Sequence, residues 1–275
     1  MQSAGSKKLL GGVAGYFSRG DNFPDVYKWA FPSDSVSTTT SSPRRMEGHA
    51  GFADPAVAGY FSQGDGSFFV SKWAFPSDSV STTTLAPDDM DEHAGFADPA
   101  VAGYFSQGEG FPDVYKWAFP SDSVSTTTSA PDEMFGHAGF ADPAVAGYFS
   151  LGDGNPDVFK WAFPSDSVST TTSAPADMFE HAGFADPAVA GYFSRGDGSP
   201  VVYKWAFPSD SVSTTTSAPT SMGQHAGFAD PAVAGYFSRG GFREEVFKWA
   251  FPSDSVSTTT SAPADMWGHA GFADA

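Results

Sequence analysis

Val114-Tyr-Lys-Trp-Ala-Phe-Pro-Ser-Asp-Ser-Val-Ser-Thr-Thr-Thr128 sits between Val101-Ala-Gly-Tyr-Phe-Ser106 and His137-Ala-Gly-Phe-Ala-Asp142, and the three segments together recur six times. The tryptophan returns as Trp29, Trp73, Trp117, Trp161, Trp205 and Trp249, always 44 residues apart. The histidine keeps the same spacing at His49, His93, His137, His181, His225 and His269. A fixed period in the forties with strand-like content marks a repeat architecture, in which each unit buries its apolar surface against its neighbours.

Working outward from Trp117, each unit predicts four short strands. Ala102–Ser106 and Val114–Phe119 are rich in aromatic and branched residues. Pro120-Ser-Asp-Ser123 is turn chemistry, since proline presets φ and the polar side chains bond nearby backbone. Val124–Thr128 is a polar strand suited to a sheet edge. His137–Asp142 is the fourth, and Asp142-Pro143 turns the chain into the next unit. Four strands and four short loops fill 44 residues, the size of a propeller blade.

The unit resembles the kelch repeat, and kelch-like arrays of bacterial and phage proteins. Gly103-Tyr-Phe-Ser-Gln-Gly108 falls where that family has a hydrophobic strand ending in glycine. Phe119-Pro-Ser-Asp122 falls on its aromatic residue and polar turn, and His137-Ala-Gly-Phe140 on the strand that opens a blade. One glycine stands for the kelch pair, and the tryptophan precedes the turn. The resemblance implies a strand order with His137–Asp142 innermost and Val124–Thr128 outermost. The expectation is therefore an all-β fold: a six-bladed β-propeller of four antiparallel strands per blade. Units start at Val13, Val57, Val101, Val145, Val189 and Val233, after a lead-in over 1–12. Residues 13–275 form one domain, its ring closed by the C-terminal innermost strand.

Composition narrows the function classes. The 275 residues hold 40% hydrophobic content and 27 Phe, enough for a large core. There is no cysteine, so disulfides and thiolate metal sites are excluded. No apolar run approaches the ~18 residues of a membrane span, and the opening residues lack the apolar stretch of an export signal. The expectation is a soluble monomer.

Differences between copies fall in two windows. The first follows Tyr-Phe-Ser, the second brackets a constant Met. In an antiparallel blade both emerge on one face, opposite the constant Asp-Pro-Ala-Val and Phe-Pro-Ser-Asp turns. Loops on a rigid frame are where recognition residues collect. The first window supplies Arg19, Asp21, Phe23, Gln63, Asp65, Phe68, Gln107, Glu109, Phe111, Leu151, Asp153, Arg195, Asp197, Arg239, Phe242 and Arg243 as candidate partner-binding residues. The second supplies Arg44, Arg45, Glu47, Asp88, Asp89, Asp91, Asp132, Glu133, Phe135, Asp177, Phe179, Glu180, Gln224, Asp265 and Trp267. The windows carry twenty acidic residues against six Arg, a net −14 of the chain's −18. Such a face repels nucleic acid and anionic membranes and steers basic partners.

The constant residues point to structure. Six imidazoles near the axis have the chemistry of metal ligands or general bases, yet a ring this wide keeps them from converging on one ion, and a hydrogen bond to a neighbouring loop is their expected job. Asp54, Asp98, Asp142, Asp186, Asp230 and Asp274 are expected to bond turn N–H groups. Trp117, Phe119, Tyr104 and Phe140 are expected between blades. No catalytic residue, cofactor or metal is assigned, because every constant titratable group exists six times whereas catalysis needs groups in different roles. The expected function is a non-catalytic scaffold presenting variable acidic loops to a protein or other macromolecule. The alternatives are a lectin-like propeller with six glycan sites built from constant Trp, Tyr and Asp, and a structural unit without a ligand. Arg19-Gly-Asp21 and Arg195-Gly-Asp197 match the integrin-recognition tripeptide, a match the repeat template produces easily.

Overall fold

Strand one of each unit, such as Ala14–Ser18, is buried at every residue, because both faces of the blade are covered by neighbouring blades. The computed structural model describes residues 14–274 apart from 56, 100, 120, 144, 188 and 232; the lead-in and Val13 lie outside that set. Twenty-four strands, β1 to β24 in chain order, form six four-stranded antiparallel sheets. β4 (Gly51–Asp54), β5 (Ala58–Gly64), β6 (Ser67–Ala74) and β7 (Ser79–Thr82) make the second blade in that order. The innermost strands meet around the axis, and the sheets form a six-bladed propeller.

The first blade is completed from the other end of the chain. β24 (Gly271–Ala273) pairs with β1 (Ala14–Gly20), which continues to β2 (Phe23–Ala30) and β3 (Ser35–Thr38). The register is Gly15↔Ala273, Tyr16↔Phe272 and Phe17↔Gly271. The C-terminal strand therefore closes the ring as expected.

Aromatic packing joins the blades. Phe52 and Tyr60 of the second blade share one cluster with Phe105, Trp117 and Phe119 of the third, and the six Trp that recur every 44 residues are fully buried. The constant Trp and Tyr on which the lectin alternative relied are buried, so neither offers a face to a sugar. The invariant Gly in Ala-Gly-Tyr-Phe has a steric cause: a Cβ on Gly103 would fall 2.1 Å from the Phe52 ring. Each innermost Phe occupies the space that a Cβ on the next blade's glycine would take.

Strand limits differ from the expectation in all four strands of the unit: the first runs on to Gly108, and the third is Ser123–Thr126 rather than Val124–Thr128. Innermost strands start at Gly139, not His137, because the histidine stands just before the ladder. The second strand starts at Phe111, because a tight hairpin extends the ladder beyond a bulge between Phe111 and Val114. In the fifth and sixth blades it keeps to Val202–Ala206 and Val246–Ala250.

One face is knitted by constant residues. Lys28 Nζ donates to Asp78 Oδ2 of the next blade at 2.8 Å, and the Tyr16 hydroxyl donates to Asp78 Oδ1 at 2.8 Å. The same ion pair recurs around the circle and ends with Lys248 on Asp34. Asp34, whose burial alone would raise its pKa, is held below the ordinary carboxylate value by Lys248 and Tyr236. The Asp-Pro-Ala-Val turns differ from the expectation: Val57 N–H donates to the main-chain carbonyl of Asp54, not to its carboxylate. At the closure, the Asp274 side chain does accept the Ala14 N–H.

Candidate functional site: the variable face and its axial cavity

The first window is shaped by backbone needs. Asp21 and Asn22 have φ of +49° and +61° between the paired residues Gly20 and Phe23. Asp65-Gly66, Glu109-Gly110, Asp153-Gly154 and Asp197-Gly198 repeat the pattern. Two successive positive φ values are the signature of a type I′ hairpin, and Asp-Gly is its preferred sequence. Both Arg-Gly-Asp tripeptides lie in these hairpins. Arg19 is held at 3.5 Å from Asp25 and over the Phe23 ring.

The second window links one hairpin to the next. Gly110 N–H donates to the Met134 carbonyl at 3.1 Å, while Met134 itself is fully buried, which explains the constant Met. Beyond the Met the segment bridges to the following blade, as Glu47 does to Gly64. A Cβ on Gly64 would fall 1.9 Å from the Glu47 carbonyl oxygen. Both windows therefore share one face, and backbone contacts bind them into a continuous rim.

Inside the rim the chain reaches the axis at the residue before each histidine: Gly48, Glu92, Gly136, Glu180, Gln224 and Gly268. All six have positive φ, between +39° and +55°. Gly48 N–H donates to the Gly268 carbonyl, Gly268 N–H to Gln224, and Gln224 N–H to Glu180. Below them the six histidines line an axial cavity of about 180 Å³.

Each histidine is buried, with Nε2 2.5–2.7 Å from a serine Oγ on the preceding blade, as in Ser62 with His93. The partner is thus a side-chain hydroxyl rather than the expected loop carbonyl. That Oγ also accepts the Ala50 N–H and reaches the Ala50 carbonyl at 3.2 Å. The hydroxyl proton can go to either acceptor, so the ring can carry its own proton on Nδ1 or on Nε2. Nδ1 has no hydrogen-bond partner in any of the six. Carbonyls such as Gly48 O beside His93 push the pKa up slightly without closing a hydrogen bond. Burial dominates and holds His93, His181, His225 and His269 down to about 3. The ring is neutral at pH 7.

The mouth is acidic. Burial, then repulsion from Asp65, Asp21 and Asp91, raises the Glu47 pKa; burial, then Asp91, Glu180, Glu109 and Asp153, raises that of Glu92. These carboxylates oppose one another's charge. Among the described residues, no three His, Cys, Asp or Glu are grouped as ligands for a metal ion.

Most sequence-predicted residues do reach this face. Arg44, Phe68, Glu109, Phe111, Asp153 and Phe242 are exposed, while Glu47, Asp91, Phe135, Phe179 and Trp267 are partly covered. Trp267 stacks on Phe242 at 4.4 Å. Two predictions are corrected: Gln107 and Leu151 are buried, Gln107 accepting from Tyr115 and Leu151 packing beside Phe159. At that position the strand is still within the blade. Glu92 lines the mouth although sequence reasoning did not select it. Its signal was its place immediately before a constant histidine.

The charges are also uneven around the circle. Blades two to four carry thirteen window carboxylates and no Arg; the other three carry seven carboxylates and all six Arg.

No family model and no curated protein matches this chain. Among solved structures, 778 chains are similar to it, too many for the fold to indicate a function. One is the structure of YjhT, with a TM-score of 0.68 and 11% identity over 85% of this chain and 89% of that one. At that identity the likeness shows the fold alone, a six-bladed β-propeller.

Proposed function

We propose that this protein is a non-catalytic binding scaffold, of kelch-like type, whose variable face takes a basic macromolecular partner. The observation that carries this reading is the segregation of charge: thirteen carboxylates without one Arg on three consecutive blades. The constant face supports it by contrast, because its six Lys are already matched to Asp. Exposed Phe111 and Phe68 among the acids add apolar contact that a purely solubilising surface does not need. Charge complementarity of this kind raises association rates and makes them salt-dependent.

Surface binding of a lysine-rich twelve-residue peptide, its glutamate counterpart and a neutral control tests the reading. The lysine peptide should bind the intact protein, weaken steeply between 50 and 300 mM NaCl, and fail on a version whose six blades all carry the first blade's windows. Equal binding by both versions would remove the variable face from the function. A structural unit without a ligand is the second reading, favoured by Val57, Val101, Val145, Val189 and Val233, which stand 44–49% exposed on the constant face. Concentration-dependent light scattering, lost on Val→Ser substitution, would support it.

A further inference from the structure

The mouth of the axial cavity is not six-fold. Blades one, three and six supply glycine before the histidine, at φ of +55°, +46° and +50°. Glu92 and Glu180 occupy the same backbone state at +44° and +39°, where an L-residue with a side chain is disfavoured by about 1–2 kcal/mol. Three copies show that the fold accepts glycine there. Strain kept where a relaxed residue is available points to a use for the side chain.

The two glutamates stand on either side of Gly136, and together with Phe135, Phe179, Asp153 and Asp197 they line one pocket beside the axis. The aromatic walls are seated by the hairpins. A Cβ on Gly110 would fall 2.6 Å from the Phe135 ring, and one on Gly154 2.7 Å from Phe179. Beneath lie His137 and His181, buried, with Nδ1 unpartnered. This pocket thus combines opposed carboxylates with two aromatic walls, and through Glu92, Gly136 and Glu180 it adjoins the axial cavity, where those Nδ1 atoms lie.

We infer that the pocket between Glu92 and Glu180 binds a primary alkylammonium group. The inference rests on the reading of the acidic face as the binding face, and names the chemistry at its centre. An ammonium brings three N–H donors and one positive charge, so it relieves the repulsion between the two carboxylates. Its methylene stem suits Phe135 and Phe179, and its charge suits their ring faces. When the Ser106 hydroxyl turns to the Ala94 carbonyl, His137 can move its proton to Nε2 and leave Nδ1 free to accept from the ligand or an intervening water. A bare metal ion needs three closely grouped ligands, which the described residues do not provide.

The ammonium can belong to a free diamine or to a lysine on the partner. Calorimetry with 1,5-diaminopentane and with Nα-acetyl-lysine amide, each against wild type, separates these sources. One equivalent should bind; strength in the diamine alone assigns a small-molecule site, and in both a lysine-accepting one. Glu92→Gly/Glu180→Gly adopts the residue of the other blades and should fold normally while losing at least tenfold in affinity. Glu244→Gln, an exposed carboxylate on the Arg-bearing side, should not change it. Unaltered affinity in the double variant, a stoichiometry near six, or equal binding by trimethylpentylammonium would overturn the site. Should the double variant lose the diamine yet keep the lysine-rich peptide, the acidic face stands and this pocket is separate from it. Should neither ligand bind wild type, both readings fall.

Discussion

The two faces of the disc are built from opposite ends of the same twenty-four strands, yet they solve different problems. On the constant face, side chains carry the order: Lys, Tyr and Asp meet identically at every blade junction. On the variable face, the backbone carries it: glycines and positive φ values, hairpin N–H groups on Met carbonyls, and a rim of main-chain bonds. Side chains there are released from holding the shape. The difference teaches why variation is confined to one side. A substitution on the constant face breaks a contact between blades, whereas one at an exposed, non-glycine position of the variable face alters only what is displayed.

The comparison is most severely tested at the ring closure, which supports both faces. Deleting residues 269–275 removes β24 and with it Phe272, which packs against Phe61 and covers Gly59. Loss of a cooperative thermal transition, or association in size-exclusion chromatography, is expected. A monomer with an unchanged melting point would mean that closure is dispensable.

Acid comes next. Buried histidines have folded pKa values near 3 against about 6.5 unfolded. Below 6.5 the unfolded chain takes up protons that the fold refuses, so stability is complete above that pH and is withdrawn on the way to 3. Carboxylates with raised values act the other way, but among them only Asp274 reaches about 6. Moving from pH 7.5 to 5.5 should cost on the order of 5 kcal/mol, read as a lower urea midpoint. An unchanged midpoint would show that the axial ring is already hydrated and titrating.

Glycine substitutions sharpen the claim that the variable face is backbone-ordered. Gly64→Ala places Cβ against a carbonyl at φ of +69°, and should cost about 3 kcal/mol or more. Gly66→Ala, two residues on, meets nothing within 4 Å and should cost only the ~1 kcal/mol of its positive φ. Similar losses at both sites would contradict the rim. The smallest effect is on the other face. Asp166→Asn leaves Lys116 and Tyr104 without their charged partner and should cost about 1 kcal/mol. A double-mutant cycle with Lys116→Met should assign part of that to the pair.

Much of this was legible in the chain. The 44-residue period and the alternating content around Trp117 were sufficient for blade number, while strand order came from the resemblance to the kelch repeat, and with it the common face of both windows. The Asp-Gly hairpins were also written in the sequence, as the residue pair that a type I′ turn prefers. Gln107 and Leu151 were misread at a window's edge, since a variable residue can still be interior. The Lys116–Asp166 pair could not be read, because it joins positions 50 residues apart that meet only once blades are neighbours. Glu92 was hidden for a related reason. Its importance arises from the convergence of six loops on an axis, which no single repeat contains.

The seat that each Phe finds on the next blade's glycine has a wider consequence. Every junction, including the one between the chain's two ends, uses the same pair of surfaces. Blade order is therefore free of packing cost, and genes with the repeats reshuffled or circularly permuted should give the same disc. What would change is the map of charge: a permuted order can split the acidic sector, rotate it or gather it further. Specificity in such a molecule can be rewritten by rearranging whole blades, with no new residue introduced.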